Sequence, residues 1–477
     1  MSRLGPGETA SRGVPSLLAA LALAGALAAS SCSSSALASR PGGVAAAQSA
    51  PPAAPRAVEA YPRARFVVLS DIHVYDPPEY SPTAAQAAAL EERPLYGRSL
   101  ELFREAVSRA IELRPDFVLL PGDLTKDGEL PSHESVLREL GRLSAAGLRV
   151  FVVPGNHDIE NPRARTYEGG KLVPLPSPKR ADFARLYEEY GYGAALSRDA
   201  DSLSYVAQLL PGLRLLALDP FRRPARPDPL YPEPASSIDR GTMSWIRNEL
   251  ERARSDGEAV IVMSHLSILE HFEGQAEFFP TSLAKQRGEL ASLLASQGVE
   301  LAFTGHFHIQ DVTRAQFSDG RALYDIATGA LAYYPMPYRL VEIGPAGEGA
   351  AGASRASIRS FRLTDADAGP FAATCSSRDE LERWTELVLE QKLRRAFVPR
   401  SEAAAIASSF ARAYLALADG DESPGPGDDV FPEVRSLTGK IAEKRLAPLL
   451  KSLWRDLPPA DNELEIDLGG RGAESSG

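Results

Sequence analysis

Cysteine is almost absent from this chain of 477 residues, which contains only Cys32 and Cys375. Two cysteines so far apart cannot supply a disulfide framework or a thiolate metal cluster. Excess positive charge is also missing, because the net charge is −11 and the pI is about 5.4. This charge argues against a broad nucleic-acid-binding surface, so no nucleic-acid partner is expected.

Hydrophobic residues make up 44% of the chain, enough for one large core and a smaller one. Residues 1–32 have the pattern of an export signal, with Arg3 and Arg12 before the Leu/Ala run Leu17 to Ala29. That run of thirteen residues is too short to span a bilayer core of about 30 Å.

Ala29-Ser30-Ser31-Cys32 resembles a bacterial lipoprotein processing site, with Ala29 where Leu is usual. It predicts a protein in the cell envelope, anchored to the membrane by a lipid on Cys32. The small residues Ala36-Leu37-Ala38 are an alternative cleavage site, which would release a soluble secreted protein. Residues 33–62 are rich in Ala, Ser, Pro and Gly and predict a disordered linker.

Five short apolar runs favour buried strands, and each one leads into Asp, His or Asn. Helical patterns separate the first three runs, which is typical of parallel strands joined by crossovers. The carboxyl ends of parallel strands lie along one sheet edge, so their side chains converge on one crevice. The side chains expected there are Asp71, His73, Asp123, Asn156, His157, His265, His306 and His308.

Oxygen and imidazole ligands without thiolate suit manganese, iron or zinc. Any one Asp or His after a strand is more often a turn residue than a ligand. The combination of Asp71-x-His73 with His306-x-His308 favours metal binding instead. Seven of these eight side chains, taken as ligands, are too many for one ion and predict two ions that share a carboxylate. Two ions can stabilise both the attacking and the leaving oxygen of a phosphoryl displacement.

The five blocks resemble those of the calcineurin-like metallophosphoesterase family over about residues 63–345. The matching motifs are Asp71-x-His73, Gly122-Asp123, Gly155-Asn156-His157-Asp158, His265 and Gly305-His306-x-His308. The resemblance implies an α/β (α+β sandwich) fold, with two packed mixed β-sheets flanked by helices. It also implies a hydrolase of phosphate esters.

The resemblance assigns the residues to two ions and a catalytic pair. One ion would be held by Asp71, His73, Asp123 and His308, and the other by Asp123, Asn156, His265 and His306. A hydroxide bridging the two metals would attack the phosphorus. His157 would stabilise the transition state or protonate the leaving oxygen, and Asp158 would orient the His157 ring.

The second block, Gly122 to Gly128, lacks the Tyr ligand of purple acid phosphatases and the extended motif of Ser/Thr protein phosphatases. It is nearest to the bacterial branch with cyclic-nucleotide and small phosphodiesterases. A phosphodiesterase for small or cyclic phosphodiesters is therefore expected. The alternatives are a phosphomonoesterase of the same family and a binding lipoprotein with a vestigial metal site.

Two basic loops could contact a phosphate, although such loops are more often solvated. Their residues are Arg163, Arg165, Tyr167, Lys171, Lys179 and Arg180, and then Arg222, Arg223 and Arg226. His133 is expected at the surface. His271 is expected to be a surface or capping residue rather than part of the pocket.

Beyond the predicted catalytic domain, residues 346–370 predict connecting strands. Residues 371–460 carry helical stripes and predict an appended helical extension with a structural role. Residues 461–477 are expected to be a disordered tail. The sequence does not define the oligomeric state.

Overall fold

The structure is a computed structural model that describes residues 61–83, 95–222, 235–346, 353–367 and 376–469. The predicted export signal, the lipidation site Cys32, linker residues 33–60, Arg223, Arg226 and residues 470–477 lie outside the described residues. Within the described ranges, no helix is long and apolar enough to cross a membrane.

The described strands follow in chain order. They are β1 (Ala64–Val68), β2 (Phe117–Leu120), β3 (Arg149–Val152), β4 (Arg165–Glu168), β5 (Lys171–Pro174), β6 (Ala195–Arg198), β7 (Tyr205–Leu210), β8 (Leu213–Leu218), β9 (Phe221–Arg222), β10 (Ala235–Ser236), β11 (Ala259–Ser264), β12 (Leu301–Thr304), β13 (Asp311–Gln316), β14 (Ala322–Ala327), β15 (Pro337–Pro345), β16 (Ser354–Arg362) and β17 (Glu463–Leu468).

The described α-helices are α1 (Ser99–Leu113), α2 (Leu130–Ala145), α3 (Arg180–Leu186), α4 (Arg240–Asp256), α5 (Gln275–Phe278), α6 (Arg287–Ser296), α7 (Ser377–Arg395), α8 (Arg400–Asp419) and α9 (Leu437–Leu453). Short 3-10 helices span Tyr96–Arg98, Glu188–Tyr190 and Pro280–Ser282. Capping side chains begin several of the helices. Asp239 accepts from the Thr242 amide at 2.8 Å before α4, and Ser436 accepts from the Gly439 amide at 2.9 Å before α9.

The first large sheet has the strand order β17-β16-β15-β1-β2-β3. Strands β1, β2 and β3 are parallel, as the strand–helix–strand pattern predicted. The other pairings, from β1 across to β17, are antiparallel. The parallel half of this sheet therefore supplies three of the five predicted strand ends.

The second large sheet has the order β13-β14-β12-β11-β8-β7-β6. Strands β8, β11, β12 and β14 are parallel, whereas β6, β7 and β13 pair antiparallel to their neighbours. The strands that lead to the other two predicted strand ends, β11 and β12, lie side by side here. The pairs β4–β5 and β9–β10 form separate ribbons.

The two large sheets pack face to face around the main hydrophobic core. Phe66 of β1 stacks on Phe117 of β2 with ring centroids 4.7 Å apart, and it meets Phe303 of β12 edge-on at 5.1 Å. Helices α1 and α2 contribute apolar side chains to this core, and α4 and α6 cover the second sheet. The predicted fold class, two packed mixed sheets flanked by helices, is confirmed.

Helices α7, α8 and α9 form a second core together with residues of the catalytic domain. This core includes Ile406 and Phe410 of α8 and the aromatic side chains of Phe307 and Tyr333. Phe307 lies between His306 and His308, so the helical extension packs directly behind the predicted metal ligands.

Two details of the fold differ from the sequence-based expectation. The short alternating runs after Phe303 predict antiparallel strands only. Strand β14 instead joins the second sheet parallel to β12. The expectation that residues 461–477 are a disordered tail is wrong for Glu463–Leu468, which pairs with β16. Leu464, Ile466 and Leu468 are buried there, and the three acidic residues that alternate with them are exposed.

Candidate metal centre

The loops after the strands place five of the candidate ligands in the left-handed backbone region. These residues and their φ angles are Asp71 (49°), His73 (42°), Asp123 (49°), His306 (71°) and His308 (61°). A non-glycine residue in this region costs about 1–3 kcal/mol and persists only where its surroundings fix it. The strained positions of the described chain thus include most of the predicted site.

Hydrogen bonds between the loops hold these residues in place. The His73 amide donates to the Asp123 carbonyl at 3.0 Å, and the His306 amide donates to Asp71 Oδ2 at 3.0 Å. The His157 amide donates to Asp123 Oδ1 at 2.9 Å. Hydrogen bonds therefore connect the loops after β1, β2 and β3 of the first sheet with the loop after β12 of the second.

Glycine is required beside Asp123 because the loops approach each other closely. Gly122 has a φ of 95°, and a Cβ there would lie 2.6 Å from His265 Nδ1 and 2.8 Å from the Gly155 nitrogen. Only a residue without a side chain fits this conformation and this gap.

Two groups of ligand atoms result, and Asp123 belongs to both. Asp71, His73, Asp123 and His308 form the first, with one ligand atom from each residue within 4.8 Å of the others, and Asp123, His265 and His306 form the second. In the second group His265 Nε2 lies 3.3 Å from Asp123 Oδ2 and 3.0 Å from Asn156 Oδ1. All seven predicted ligands are brought together.

The hydrogen bonding of His265 shows that the second group fits a cation. His265 Nδ1 donates to the Pro121 carbonyl at 2.7 Å. The other nitrogen of a neutral ring therefore carries a lone pair, which faces the oxygens of Asp123 and Asn156. Such a meeting of electron-rich atoms in a buried site is unfavourable unless a proton or a metal cation lies between them.

The first group has the same character. His73 Nε2 and His308 Nε2 lie 3.1 Å apart, and His308 Nε2 lies 3.2 Å from Asp71 Oδ1. Nδ1 of each of these two rings has no hydrogen-bond partner among the described residues. The donor set of imidazole and carboxylate suits manganese, iron or zinc.

Most of the site residues that titrate hold the protonation state that ligands need. Burial lowers the pKa of His73 and of His306 to about 3, so both rings are neutral at pH 7. Burial opposes ionisation of Asp71, but hydrogen bonding and charge from His308 lower its pKa to about 2. His265 differs: burial opposes its protonation, yet the Asp123 carboxylate raises its pKa to about 9, so metal binding there displaces a proton.

His157 lies at the edge of the two groups rather than inside them. Its Nε2 is 4.0 Å from Asp123 Oδ2, and its side chain is 20% exposed, whereas that of Asp123 is 2% exposed. This position suits a group that meets a substrate rather than one that is enclosed by metal coordination.

Asp127, not Asp158, is the carboxylate that meets the His157 ring. His157 Nδ1 and Asp127 Oδ1 are 3.1 Å apart. Burial alone would raise the pKa of Asp127, but Lys126 and His157 hold it far below its usual range, so the carboxylate stays charged. Asn161 adds an amide that donates to the His157 carbonyl at 3.0 Å.

The expectation that Asp158 orients His157 is therefore wrong. Asp158 Oδ1 accepts from the amide and hydroxyl of Thr125, and Oδ2 accepts from the amides of Leu124 and Gly155. The three bonds from Leu124 and Thr125 tie the loop after β2 to the loop after β3, and the bond from Gly155 lies within the loop after β3. Asp158 thus fixes the backbone that carries Asp123 and His157.

Three aromatic side chains that the sequence did not single out border the centre. The Tyr96 and Tyr333 hydroxyls lie 3.0 Å apart, and their rings lie 5.4 Å from His73 and 4.3 Å from His308 respectively. Phe221 lies 5.8 Å from the His265 ring. No motif distinguishes these three residues from ordinary core aromatics. Asp127, in contrast, lies inside the Gly122–Gly128 block, so its position in a motif could have marked it as a site residue.

His133 and His271 are both buried, so neither has the surface position that was expected for His133 and was one of two expectations for His271. His133 contacts the Tyr187 hydroxyl at 2.8 Å and the Asp158 carbonyl at 2.9 Å, so it supports the loop after β3. His271 Nδ1 lies 2.5 Å from Asp311 Oδ1. Neither residue belongs to the two ligand groups.

The basic residues of the two loops have separate locations. Arg165, Tyr167 and Lys171 lie on the β4–β5 ribbon. Arg222 lies beside Phe221 and pairs with Asp239. Arg163 lies just before the ribbon, and Lys179 and Arg180 lie at the start of α3.

The family model for the calcineurin-like phosphoesterase matches residues 64–310, just over half of the chain. The chain belongs to this family, and it is a hydrolase acting on phosphate esters. No curated protein matches the chain.

Solved structures with a similar fold include three phosphatases or nucleotidases. A dimetal phosphatase from Danio rerio has 17% identity and a TM-score of 0.42, over 64% of this chain and 96% of its own. An NAD nucleotidase from Haemophilus influenzae has 12% identity and a TM-score of 0.34, over 70% and 61%. A purple acid phosphatase from yellow lupin (Lupinus luteus) has 12% identity and a TM-score of 0.33, over 66% and 58%. These likenesses do not identify the substrate.

Proposed function

We propose that the protein is a dinuclear metal phosphodiesterase that acts on small phosphodiesters or cyclic nucleotides. In this proposal Asp71, His73, Asp123 and His308 hold one ion, and Asp123, Asn156, His265 and His306 hold the other. The ions are manganese, iron or zinc. The main support for this proposal is that Asp123 lies in both ligand groups.

Two such ions would supply a strongly nucleophilic oxygen at neutral pH and would neutralise charge on the phosphoryl group. The protein's own contribution is to place these charges and to control a proton. Asp127 accepts from His157 Nδ1, which leaves Nε2 facing the ligand groups. His157 Nε2 would stabilise the transition state or deliver a proton to the leaving oxygen.

The pairing of Lys126 and Arg222 with carboxylates supports a diester over a monoester. A phosphodiester carries one negative charge, whereas a monoester dianion carries two and benefits from additional cations. Lys126 is already engaged by Asp127 and by Glu129, whose carboxylate lies 3.8 Å from its Nζ. Arg222 is engaged by Asp239. These two described cations are therefore committed to other partners.

Turnover of two chromogenic substrates under one metal condition tests the proposal. The manganese-reconstituted full chain is assayed on bis(p-nitrophenyl) phosphate and on p-nitrophenyl phosphate, followed by cyclic nucleotides. We expect kcat/KM to be larger for the diester. Faster turnover of the monoester would favour the alternative, a phosphomonoesterase, and hydrolysis of neither would reject the proposed activity.

A binding lipoprotein with a vestigial metal site remains the contrasting hypothesis, and His157→Ala separates it from an enzyme. The variant keeps all seven proposed ligands. We expect it to retain its metals and to lose roughly 10²-fold or more in kcat. Equal, low turnover by wild type and variant would favour the binding hypothesis.

We further propose that the protein is exported and anchored in the cell envelope through lipidated Cys32. Support comes from the Leu/Ala run and the Ala29-Ser30-Ser31-Cys32 sequence. Labelling with radioactive palmitate in cells tests it, with Cys32→Ala as the control. Label in wild type alone is expected, whereas an unlabelled, secreted wild type would favour cleavage near Ala36-Leu37-Ala38 instead.

A further inference from the structure

A second cluster of acidic residues lies away from the dinuclear centre, where three parts of the chain meet. Asp311 opens β13 of the second sheet, Glu422 follows α8 of the helical extension, and Asp461 precedes β17. One carboxylate oxygen from each lies within 4.8 Å of the others, and all three residues are buried. Asp421 and Asp456 form an adjoining group with Asp461.

The Glu422 side chain is the unusual member of this cluster. The residue is 7% exposed, and neither carboxylate oxygen has a hydrogen-bond partner among the described residues. Asp456 Oδ1 is likewise buried without a partner in the described part of the chain. Buried carboxylates without partners are costly, because they lose water and gain nothing in exchange.

Among the described residues, the positive groups beside the cluster interact with Asp311 and Asp461 and not with Glu422. The buried Arg339 guanidinium donates to the Ala327 carbonyl at 2.8 Å, the Ser360 hydroxyl and the Asp461 carbonyl, all of them uncharged acceptors. His271 contacts Asp311 Oδ1 at 2.5 Å, and its other nitrogen lies 3.7 Å from Asp325. Glu422 is thus left without a countercharge.

Two backbone amides hold the Asp461 carboxylate close to the carboxylates of Asp311 and Glu422. Asp461 Oδ1 accepts from the Val312 amide and Oδ2 from the Asp421 amide, both at 2.7 Å. In return, the Asp461 amide donates to Asp421 Oδ1 at 2.8 Å. These hydrogen bonds therefore join the loops of the catalytic domain and of the helical extension around the cluster.

We propose that Asp311, Glu422 and Asp461 form a calcium site that ties the helical extension and the last strand to the catalytic domain. Asp421 and Asp456 add oxygens at its outer side. The site contains no imidazole or thiolate ligand, which separates it from the dinuclear centre. Calcium takes six to eight oxygen ligands in flexible geometry, whereas magnesium usually keeps several waters and one or two carboxylates.

Calcium binding is measured on the full chain whose dinuclear centre has first been loaded with manganese. Equilibrium dialysis with radioactive Ca²⁺ gives the number of ions bound, and thermal unfolding with and without Ca²⁺ gives the shift in Tm. The test variant is Glu422→Gln. The matched control is Glu433→Gln, which makes the same change at an exposed position of the extension.

We expect wild type and Glu433→Gln to bind one Ca²⁺ per chain and to gain in Tm. Glu422→Gln should lose both the bound ion and the Tm shift. Calcium bound equally by Glu422→Gln, or no calcium bound by wild type, would overturn the proposal. A higher Tm for Glu422→Gln, together with no Ca²⁺ binding by wild type, would also overturn the proposal. It would indicate that these carboxyl groups share protons instead of binding a cation.

Asp456→Asn keeps the test decisive if Glu422→Gln does not fold. Asp456 lies at the outer side of the cluster and is partly exposed. Its loss should weaken calcium binding several-fold, and unchanged affinity together with an unchanged Tm shift would contradict the site. Neither measurement uses turnover, so the outcome is independent of the proposed substrate.

Discussion

At the scale of single residues, two neighbouring carboxylates perform different tasks. Asp127 meets the imidazole of His157, whereas Asp158 accepts four hydrogen bonds from the loop after β2 and from Gly155. A change in one should therefore affect turnover, and a change in the other should affect folding.

Asp127→Asn should lower kcat roughly 10- to 100-fold, because the ring of His157 loses its charged partner. KM and the metal content should change little, since Asp127 touches none of the proposed ligands. Asp127→Glu should recover part of the rate. Steady-state kinetics with metal analysis checks this, and an unchanged kcat would contradict the assignment.

Asp158→Asn should instead cost about 3 kcal/mol of unfolding free energy, because an amide nitrogen would face two donors. The shift of the denaturation midpoint measures this cost. A stable Asp158→Asn protein with greatly reduced kcat would return the orienting role to Asp158.

His133 gives the fold a dependence on pH. Burial lowers its pKa below the ordinary value of 6.5, so the folded protein binds this proton less readily than the unfolded chain. Stability should thus fall as the pH drops below about 6.5, by up to about 1.4 kcal/mol per pH unit.

His133→Gln removes the titrating group, so the stability advantage of wild type over this variant should shrink between pH 7 and pH 5. Chemical denaturation of both proteins at each pH measures the difference, and titration of the shared metal ligands cancels from it. A constant difference across this range would show that His133 is not buried in its neutral form.

The candidate ligands that the structure brings together share one property: they follow buried strands in short motifs. His133 and His271 carry no such signal, because a lone histidine near a helix has the same appearance whether it is buried or solvated. The choice between Asp127 and Asp158 depends on how two loops cross. Only the fold defines that crossing.

At the scale of elements, the loops after the strands combine strained backbone with close contact. Gly122→Ala would force a side chain at a φ of 95° and place its Cβ 2.6 Å from His265 Nδ1. We expect a loss of about 1–3 kcal/mol in stability together with weaker metal binding.

Gly141→Ala is the matched control, since Gly141 lies within α2 and a Cβ there meets nothing within 4 Å. This variant should gain about 0.5–1 kcal/mol from reduced backbone freedom in the unfolded chain. Thermal unfolding and metal titration compare the two variants. Equal behaviour of both would contradict the close approach at Gly122.

The elements themselves were predicted well where a pattern repeats, as in the buried face of α1. The division of the strands between two sheets was not visible, because apolar strands of both sheets have the same local sequence. The last strand does have a recognisable pattern in the sequence. Glu463 to Leu468 alternates strictly between acidic and apolar residues, which is typical of a half-buried strand.

At the scale of the whole molecule, β17 follows the helical extension in the chain and is an edge strand of the first sheet. Ile466→Ala should cost about 2–4 kcal/mol, because its buried side chain contributes to the main core. Glu465→Ala, on the exposed face, should change stability by less than about 0.5 kcal/mol. Denaturation midpoints of the two variants test this, and similar values would show that the strand is not docked.

In the proposed dinuclear centre, Asp123 bridges two metal ions of a phosphate-ester hydrolase. Electron paramagnetic resonance of the manganese-loaded full chain tests this most directly, because two ions about 3.5–4 Å apart are exchange-coupled. Wild type should give the spectrum of a coupled pair, and Asp123→Asn should lose both the coupling and the turnover. A coupled pair with full turnover in Asp123→Asn, or isolated manganese in an active wild type, would contradict the account.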